Sequence, residues 1–260
     1  MTDAVAVHSP RSEIVSEETE DRFLGGRVIV RQPQDGFRAG LDAVMLAAAV
    51  PARPGETALE LGAGAGTASL CLAQRIGNLT ISGLEIDERL VKIANSNATA
   101  NGMDGRVSFV AGDALNPPAA LRRPFDHVFC NPPFHGDAGE VSPDTARARA
   151  LQDEGRLAGW LAAGLKRTAS KGTFTLILRA DRLGEALAVL PPRGVTVFPL
   201  WPRSHVEAKR VIVQVRTGAR IPLQILPGLV LHEADGRYTK EADAVLKEGG
   251  ALPLEKSYLP

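Results

Sequence analysis

The sequence predicts an α/β protein built on a mostly parallel sheet with helices on both faces. From residue 57 onward, short apolar runs of strand length alternate with segments of helical periodicity. Strands at this spacing lie too far apart for hairpins and need crossover helices, which cover both faces of a sheet. Two of the apolar runs also end in distinctive turns, Gly62-Ala63-Gly64-Ala65-Gly66 and Asn131-Pro132-Pro133-Phe134. Sheets of this class bind ligands just outside the carboxyl ends of their strands.

Taken in order, residues 1–21 hold six acids (Asp3, Glu13, Glu17, Glu18, Glu20, Asp21), Arg11 as their one base and no periodicity, and read as a flexible acidic arm. Arg27–Arg31 reads as a short strand, Gln34-Asp35-Gly36 as a turn, and Leu41–Val50 as a buried helix ended by Pro51. The alternation follows: strand Thr57–Leu61, helix Thr67–Ile76, strand Thr80–Glu85, helix Glu88–Ala100, strands Val107–Ala111 and Phe125–Cys130. A long helix near Ala148–Ala169, strand Gly172–Arg179, helix Asp181–Leu190, and strands Thr196–Phe198 and Arg210–Arg216 complete it.

Composition narrows the class. The chain has 260 residues, 44% hydrophobic and 23% charged, enough for one large domain with a full core. The longest apolar stretch, Ala43–Ala52, is too short to span a bilayer, and no basic-then-apolar leader pattern is expected from the opening residues. Cys71 and Cys130 are isolated, so they read as packed side chains in a reducing cytoplasm. The net charge of zero hides an asymmetry. Residues 1–130 carry 12 Lys+Arg against 16 Asp+Glu, and residues 131–260 carry 18 against 14, which is compatible with a polyanionic partner.

The glycine turn lies between a strand and a helix, where glycine permits tight turning and close approach to a ligand. Tight strand-to-helix packing is the bland alternative. Glu85, 25 residues after Glu60 at the end of the next strand, suits a ribose diol without a 2′-phosphate. Glu60 would repel a pyrophosphate but suits the ammonium of a methionine moiety, which favours S-adenosyl-L-methionine over NAD. Asp113 and the backbone of Ala114 suit the amine and a ring nitrogen of adenine, although an Asp capping a loop is equally consistent. Asp87 has a similar alternative as a helix cap.

The Asn131–Phe134 turn is more specific. An amino nitrogen conjugated to a ring or carbonyl is a poor nucleophile because its lone pair is delocalised. The Asn131 amide oxygen and the Pro132 carbonyl can each accept one of its N–H groups and so favour pyramidalisation. Pro132 and Pro133 stiffen the loop, and Phe134 offers a stacking face. Together with the glycine turn, this predicts methyl transfer to nitrogen, with S-adenosyl-L-homocysteine as product and no metal.

Arg147, Arg149, Arg156, Lys166 and Arg167 follow on or near a long helix. A solvated face is the default reading, and phosphate contact by Arg147, Arg149 and Lys166 is the functional one. His127, inside an apolar run, reads as packed. His135, directly after Phe134, is the better site candidate.

The segments Glu60–Gly66, Glu85-Ile86-Asp87, Gly112-Asp113-Ala114 and Asn131–Phe134 resemble the successive motifs of class I S-adenosylmethionine-dependent methyltransferases that act on amino nitrogen. More finely, Gln32–Ala47, Pro199–Pro202, Ala208–Val211 and Gly236–Thr239 are similar to the bacterial tRNA(Val) adenine-N6 methyltransferase group. The resemblance covers residues from about 23 to 250. It implies a Rossmann-like, seven-stranded, mostly parallel sheet whose last strand is antiparallel. It also implies a single domain over residues 22–260. Residues 22–50 would extend over the cofactor site, 51–216 form the core sheet and 217–260 a C-terminal extension.

Residue by residue, Gly36, Phe37, Arg38 and Asp42 would lie over the cofactor pocket. Glu60, Gly62, Ala63, Gly64, Glu85, Ile86, Asp113, Ala114 and Asn131 would line it. The implied substrate is a tRNA, with a monomer or homodimer equally open. Protein glutamine and rRNA guanine-N2 are the nearest competing targets, followed by small-molecule O-methylation, an NAD-dependent dehydrogenase and a catalytically silent RNA-binding module. Phe134 stands where many relatives carry Tyr, which keeps the stack and drops a hydroxyl.

Overall fold

A computed structural model describes residues 18–34, 38–133 and 157–254. It opens with a hairpin of β1 (Glu18–Phe23) and β2 (Val28–Pro33), followed by α1 (Leu41–Ala49). The alternating body runs β3 (Thr57–Leu61), α2 (Thr67–Arg75), β4 (Thr80–Glu85), α3 (Glu88–Ala100), β5 (Val107–Ala111) and β6 (Phe125–Cys130). Helical residues 157–167, α4, lead into β7 (Thr168–Arg179), α5 (Leu183–Val189), β8 (Val195–Trp201) and β9 (Arg210–Arg216). Two-residue strands β10 (Gln224–Ile225) and β11 (Leu229–Val230) and helix α6 (Lys240–Leu246) close the described chain.

Among the described residues the main sheet has nine strands in the order β10-β8-β9-β7-β6-β3-β4-β5, with β11 also on β8. Its seven long strands are parallel except β9, which runs antiparallel to both β7 and β8. The expected seven-stranded pattern is therefore present, with β10 and β11 added along the outer edge of β8. One apolar layer packs α1, α2, α3 and α6 on one face, and a second packs α4 and α5 on the other. Between β3 and β6 the order of strands reverses: β4 and β5 build outward on one side of β3, and the chain returns to its other side at β6. Such a reversal opens a crevice at the carboxyl ends.

Three expectations need correction. Residues 18–21 belong to β1, not to a flexible arm; Asp21 there accepts from Arg38 (2.6 Å) and Gln32 (2.8 Å), bonds invisible to a composition argument. Thr168 and Ala169 are strand, not helix. Phe125 pairs with Thr168 but His127 with Thr173, so the extra residues form a bulge in which Lys171 adopts φ 65°. The helix expected over Asp181–Leu190 is shorter, since residues 180–182 form a 3₁₀ turn. The turn at Asp35-Gly36 and the start of the long helix at Ala148 lie outside the described residues.

The hairpin is tied to the body by asparagine amides that imitate a neighbouring strand. At the C-cap of α3, Asn101 bonds both the N–H and the carbonyl of Ile29, and Asn97, one turn earlier in the helix, does the same for Arg31. Asn97 also donates to the Ala65 carbonyl inside the glycine turn (3.0 Å). Asn95 pairs with both backbone groups of Phe109 on the edge strand β5. Asn97 is buried, so Asn97→Ala strands polar groups of Arg31 and Ala65 away from water. An expected loss of about 1–3 kcal/mol in urea-unfolding free energy follows; an unchanged unfolding midpoint would contradict this account.

Candidate active site at the switch point of the sheet

In the ladder between β3 and β6, Leu61 stands opposite Cys130. The next residues, Gly62 and Asn131, therefore leave the sheet side by side, roughly one strand spacing (~4.8 Å) apart, at the mouth of the crevice. The two turns picked out in the sequence, 69 residues apart, meet here. The Asn131 Oδ1 atom is buried and has no hydrogen-bond partner among the described residues. Burying an unpartnered amide oxygen costs about 1–3 kcal/mol, and at the mouth of a crevice a ligand atom can offset that cost. Pro132 is buried and Pro133 exposed; Phe134 and His135 lie outside the described residues.

The glycine turn has little left to offer a phosphate. The N–H groups of Gly62 and Ala63 donate to Leu84 O, that of Gly66 to Ala63 O, and that of Gly64 to the Glu85 carboxylate (2.8 Å). Glu85 also accepts from Ile86 N–H (2.8 Å) and Asp87 N–H (3.1 Å) through its other oxygen. Its geometry is thus set before any ligand arrives. Glu60 lies buried beneath the turn and accepts from Ser69 N–H (3.1 Å) and Ser69 Oγ–H (2.5 Å) in the first turn of α2. Burial pushes its carboxyl up to about 8, against the two Ser69 bonds that favour the anion; the neighbouring Glu85 adds to the rise. Two acids and consumed donors make a site hostile to pyrophosphate and suited to a cation.

The bland readings also find their place. Gly66, at φ 86°, leaves room for the Phe109 ring, which would stand 2.6 Å from a Cβ there. That glycine serves helix-to-strand packing. Asp87 caps α3 through Arg89 N–H and Leu90 N–H. Asp113 Oδ1 accepts from Leu115 N–H (2.9 Å), a local turn bond, while Ala114 is buried. Ile86, 73% exposed, projects its apolar side chain just past Glu85. Arg38 pairs with Asp21, and Asp42 with Arg210 at the start of β9 (2.8 Å). His127 is packed between Thr173 and Glu56, and burial pushes both cysteine thiols up.

Sequence reasoning missed Trp160. Gly62, at φ 69°, faces its indole so closely that a Cβ would lie 2.7 Å from the ring, and neighbouring Gly159 packs on Leu115. The ring thus packs against the end of β3, and α4 lies beside the loop that follows β5. No local pattern marks it, because the contact joins residues far apart in the chain. Lys166 sits one residue before the end of α4, and β7 then starts from the far edge of the sheet. About 13 Å of helical rise separates Lys166 from residue 157, which removes it from the catalytic edge. Arg147, Arg149 and Arg156 lie outside the described residues.

This arrangement has counterparts. Residues 39–160 match the model of the methyltransferase small domain. This stretch, just under half of the chain, is similar to a methyltransferase small domain. It contains the glycine turn, Glu85, Asp113 and Asn131, with Trp160 as its last residue. A protein of Porphyromonas gingivalis named tRNA1(Val) (adenine(37)-N6)-methyltransferase is 28% identical over 237 residues, 85% of this chain and 91% of that one. A protein of the same name from Shewanella loihica is 31% identical over 160 residues, covering 60% of this methyltransferase and 65% of the relative. In fold, the crystal structure of a predicted O-methyltransferase, Atu636 from Agrobacterium tumefaciens, superposes with a TM-score of 0.68 at 23% identity over 81% of this chain and 98% of that one. Among the described residues no helix is long and apolar enough to cross a membrane.

Proposed function

We propose that this methyltransferase uses S-adenosyl-L-methionine to methylate N6 of an adenine in tRNA. The observation that carries the reading is the buried, unpartnered Asn131 Oδ1 beside Gly62. The names of the relatives support the choice of tRNA and of adenine. S-adenosyl-L-methionine supplies an electrophilic methyl group on a sulfonium cation.

The residues of the chain do the rest. Glu85, pre-set by three backbone donors, retains lone pairs for the ribose hydroxyls. Glu60 faces the ammonium end, and Ile86 gives the adenine of the cofactor an apolar face. Asn131 Oδ1 and the Pro132 carbonyl accept from the target amine, drawing its lone pair out of conjugation. Phe134 stacks on the target base. In-line approach at about 3–3.5 Å then matters more than a strong base.

The decisive experiment is transfer of labelled methyl to total RNA from a strain lacking this gene, followed by nucleoside analysis. N6-methyladenosine is the expected product; another methylated nucleoside, or label only in protein, would replace this reading. For the cofactor, calorimetry should show binding of S-adenosyl-L-homocysteine and none of NADH. In a Trp201→Phe background, the remaining indole, Trp160, should change its emission on that binding. NADH binding without binding of the homocysteine product would overturn the assignment.

A further inference from the structure

At the outer end of the same sheet edge, β11 runs parallel to β8 with Val230 opposite Trp201. Two residues on, His232 N–H donates to the Pro202 carbonyl (3.1 Å), and the Nδ1 atom of its ring donates to the same oxygen (3.1 Å). The chain then turns back through Arg237 and lays the Tyr238 ring on the imidazole, with centroids 4.7 Å apart and planes 26° from parallel. Thr239 locks the return: its N–H donates to Leu231 O (2.9 Å), its hydroxyl donates to Val230 O (2.7 Å), and the same oxygen caps α6. The pair is held at both ends, yet Tyr238 is 39% exposed. It is the one aromatic among the exposed large apolar side chains of the described residues.

Four strand steps separate β6 from β11 in the sheet, about 19 Å at roughly 4.8 Å each. Asn131 and the stack both stand at the carboxyl ends of parallel strands, so one extended ligand can reach both. Arg203, His205 and Lys209 are exposed in the adjoining loop, but Glu207, Glu233 and Asp235 balance them, and Arg237 pairs with Asp235. The patch therefore offers a planar stacking face more than a field of charge. Unpaired bases in RNA loops are recognised by stacking on such faces. About 19 Å corresponds to between five and six stacking steps at roughly 3.4 Å each, within the size of a stem-loop.

We propose that the His232–Tyr238 pair is a nucleobase-stacking subsite for the RNA whose target base lies at Asn131. It rests on the RNA reading above and adds where a flanking nucleotide is held. The test compares wild type, Tyr238→Leu and Tyr238→Phe on transcribed, unmodified tRNA(Val). The Leu variant keeps apolar packing on His232 without a π-face.

Loss of one stacked base should raise KM for the tRNA about fivefold to a hundredfold, at unchanged kcat and unchanged affinity for S-adenosyl-L-homocysteine. The rise should persist at high salt, and the Phe variant should restore the wild-type value. A Leu variant with wild-type KM, or a Phe variant as poor as Leu, overturns the subsite while leaving RNA methylation standing. A wild-type protein that methylates neither this tRNA nor total RNA removes both proposals.

Discussion

Asn131→Ala is expected to lower turnover by about a hundred- to a thousandfold while leaving the affinity for S-adenosyl-L-homocysteine nearly unchanged. On the proposed reading the amide oxygen takes the target amine as its partner, and that bond strengthens as the nitrogen pyramidalises. The loss therefore belongs to the transition state and should fall on kcat. The ligand-free structure adds a second expectation. Because Oδ1 is buried without a partner, removing it breaks no hydrogen bond among the described residues. The alanine variant should unfold at the same denaturant concentration as wild type or slightly higher. Asn131→Asp keeps an acceptor but adds a charge, and should retain part of the activity. Full methylation by the alanine variant, or a collapse of its stability, would remove Asn131 from the chemistry.

Stability should fall as pH rises from about 4.5 to about 8, because Glu60 keeps in the folded protein a proton that it loses in the unfolded chain. The folded value is the raised one, so across this window the folded state binds more protons. The contribution of Glu60 to stability is fully present below the lower value and lost as pH passes the upper one. Each unit of difference corresponds to roughly 1.4 kcal/mol, so the window holds several kcal/mol at most. Glu60→Gln keeps an acceptor for Ser69 and cannot ionise; it should flatten the slope and make the protein more stable than wild type at pH 8. Equal slopes in the two proteins would show that another group titrates. The proposed contact with the cofactor ammonium adds a linked effect. At pH 7 binding should release about one proton, read from calorimetry in buffers of different ionisation enthalpy.

Much of the core was legible because local signals and tertiary demands agree there. The strands Thr57–Leu61, Thr80–Glu85, Val107–Ala111, Phe125–Cys130 and Arg210–Arg216, and helix Glu88–Ala100, begin and end where apolar runs meet turn residues. Segments whose form depends on a distant partner were not legible. The acidic residues of β1 become a strand because β2 pairs with them, and Ala169–Gly172 form a bulge because β6 needs fewer residues than β7 provides. The asparagines of α3 look like ordinary polar positions until the edges of β2 and β5 arrive beside them.

The same division runs through the site. By itself the sequence determined the chemistry on offer, because a glycine turn, acids at successive strand ends and an Asn-Pro-Pro-aromatic turn are properties of residue type and spacing. Only the tertiary structure decided which of these groups stand together. The register of β3 against β6 sets Gly62 beside Asn131, the packing of α4 brings Trp160 onto the glycine turn, and the length of that helix carries Lys166 to the far edge. The physical reason is one of range. Side-chain chemistry and turn preference act within a few residues, whereas burial, an unpartnered oxygen and a shifted carboxyl arise from neighbours that only the folded chain supplies.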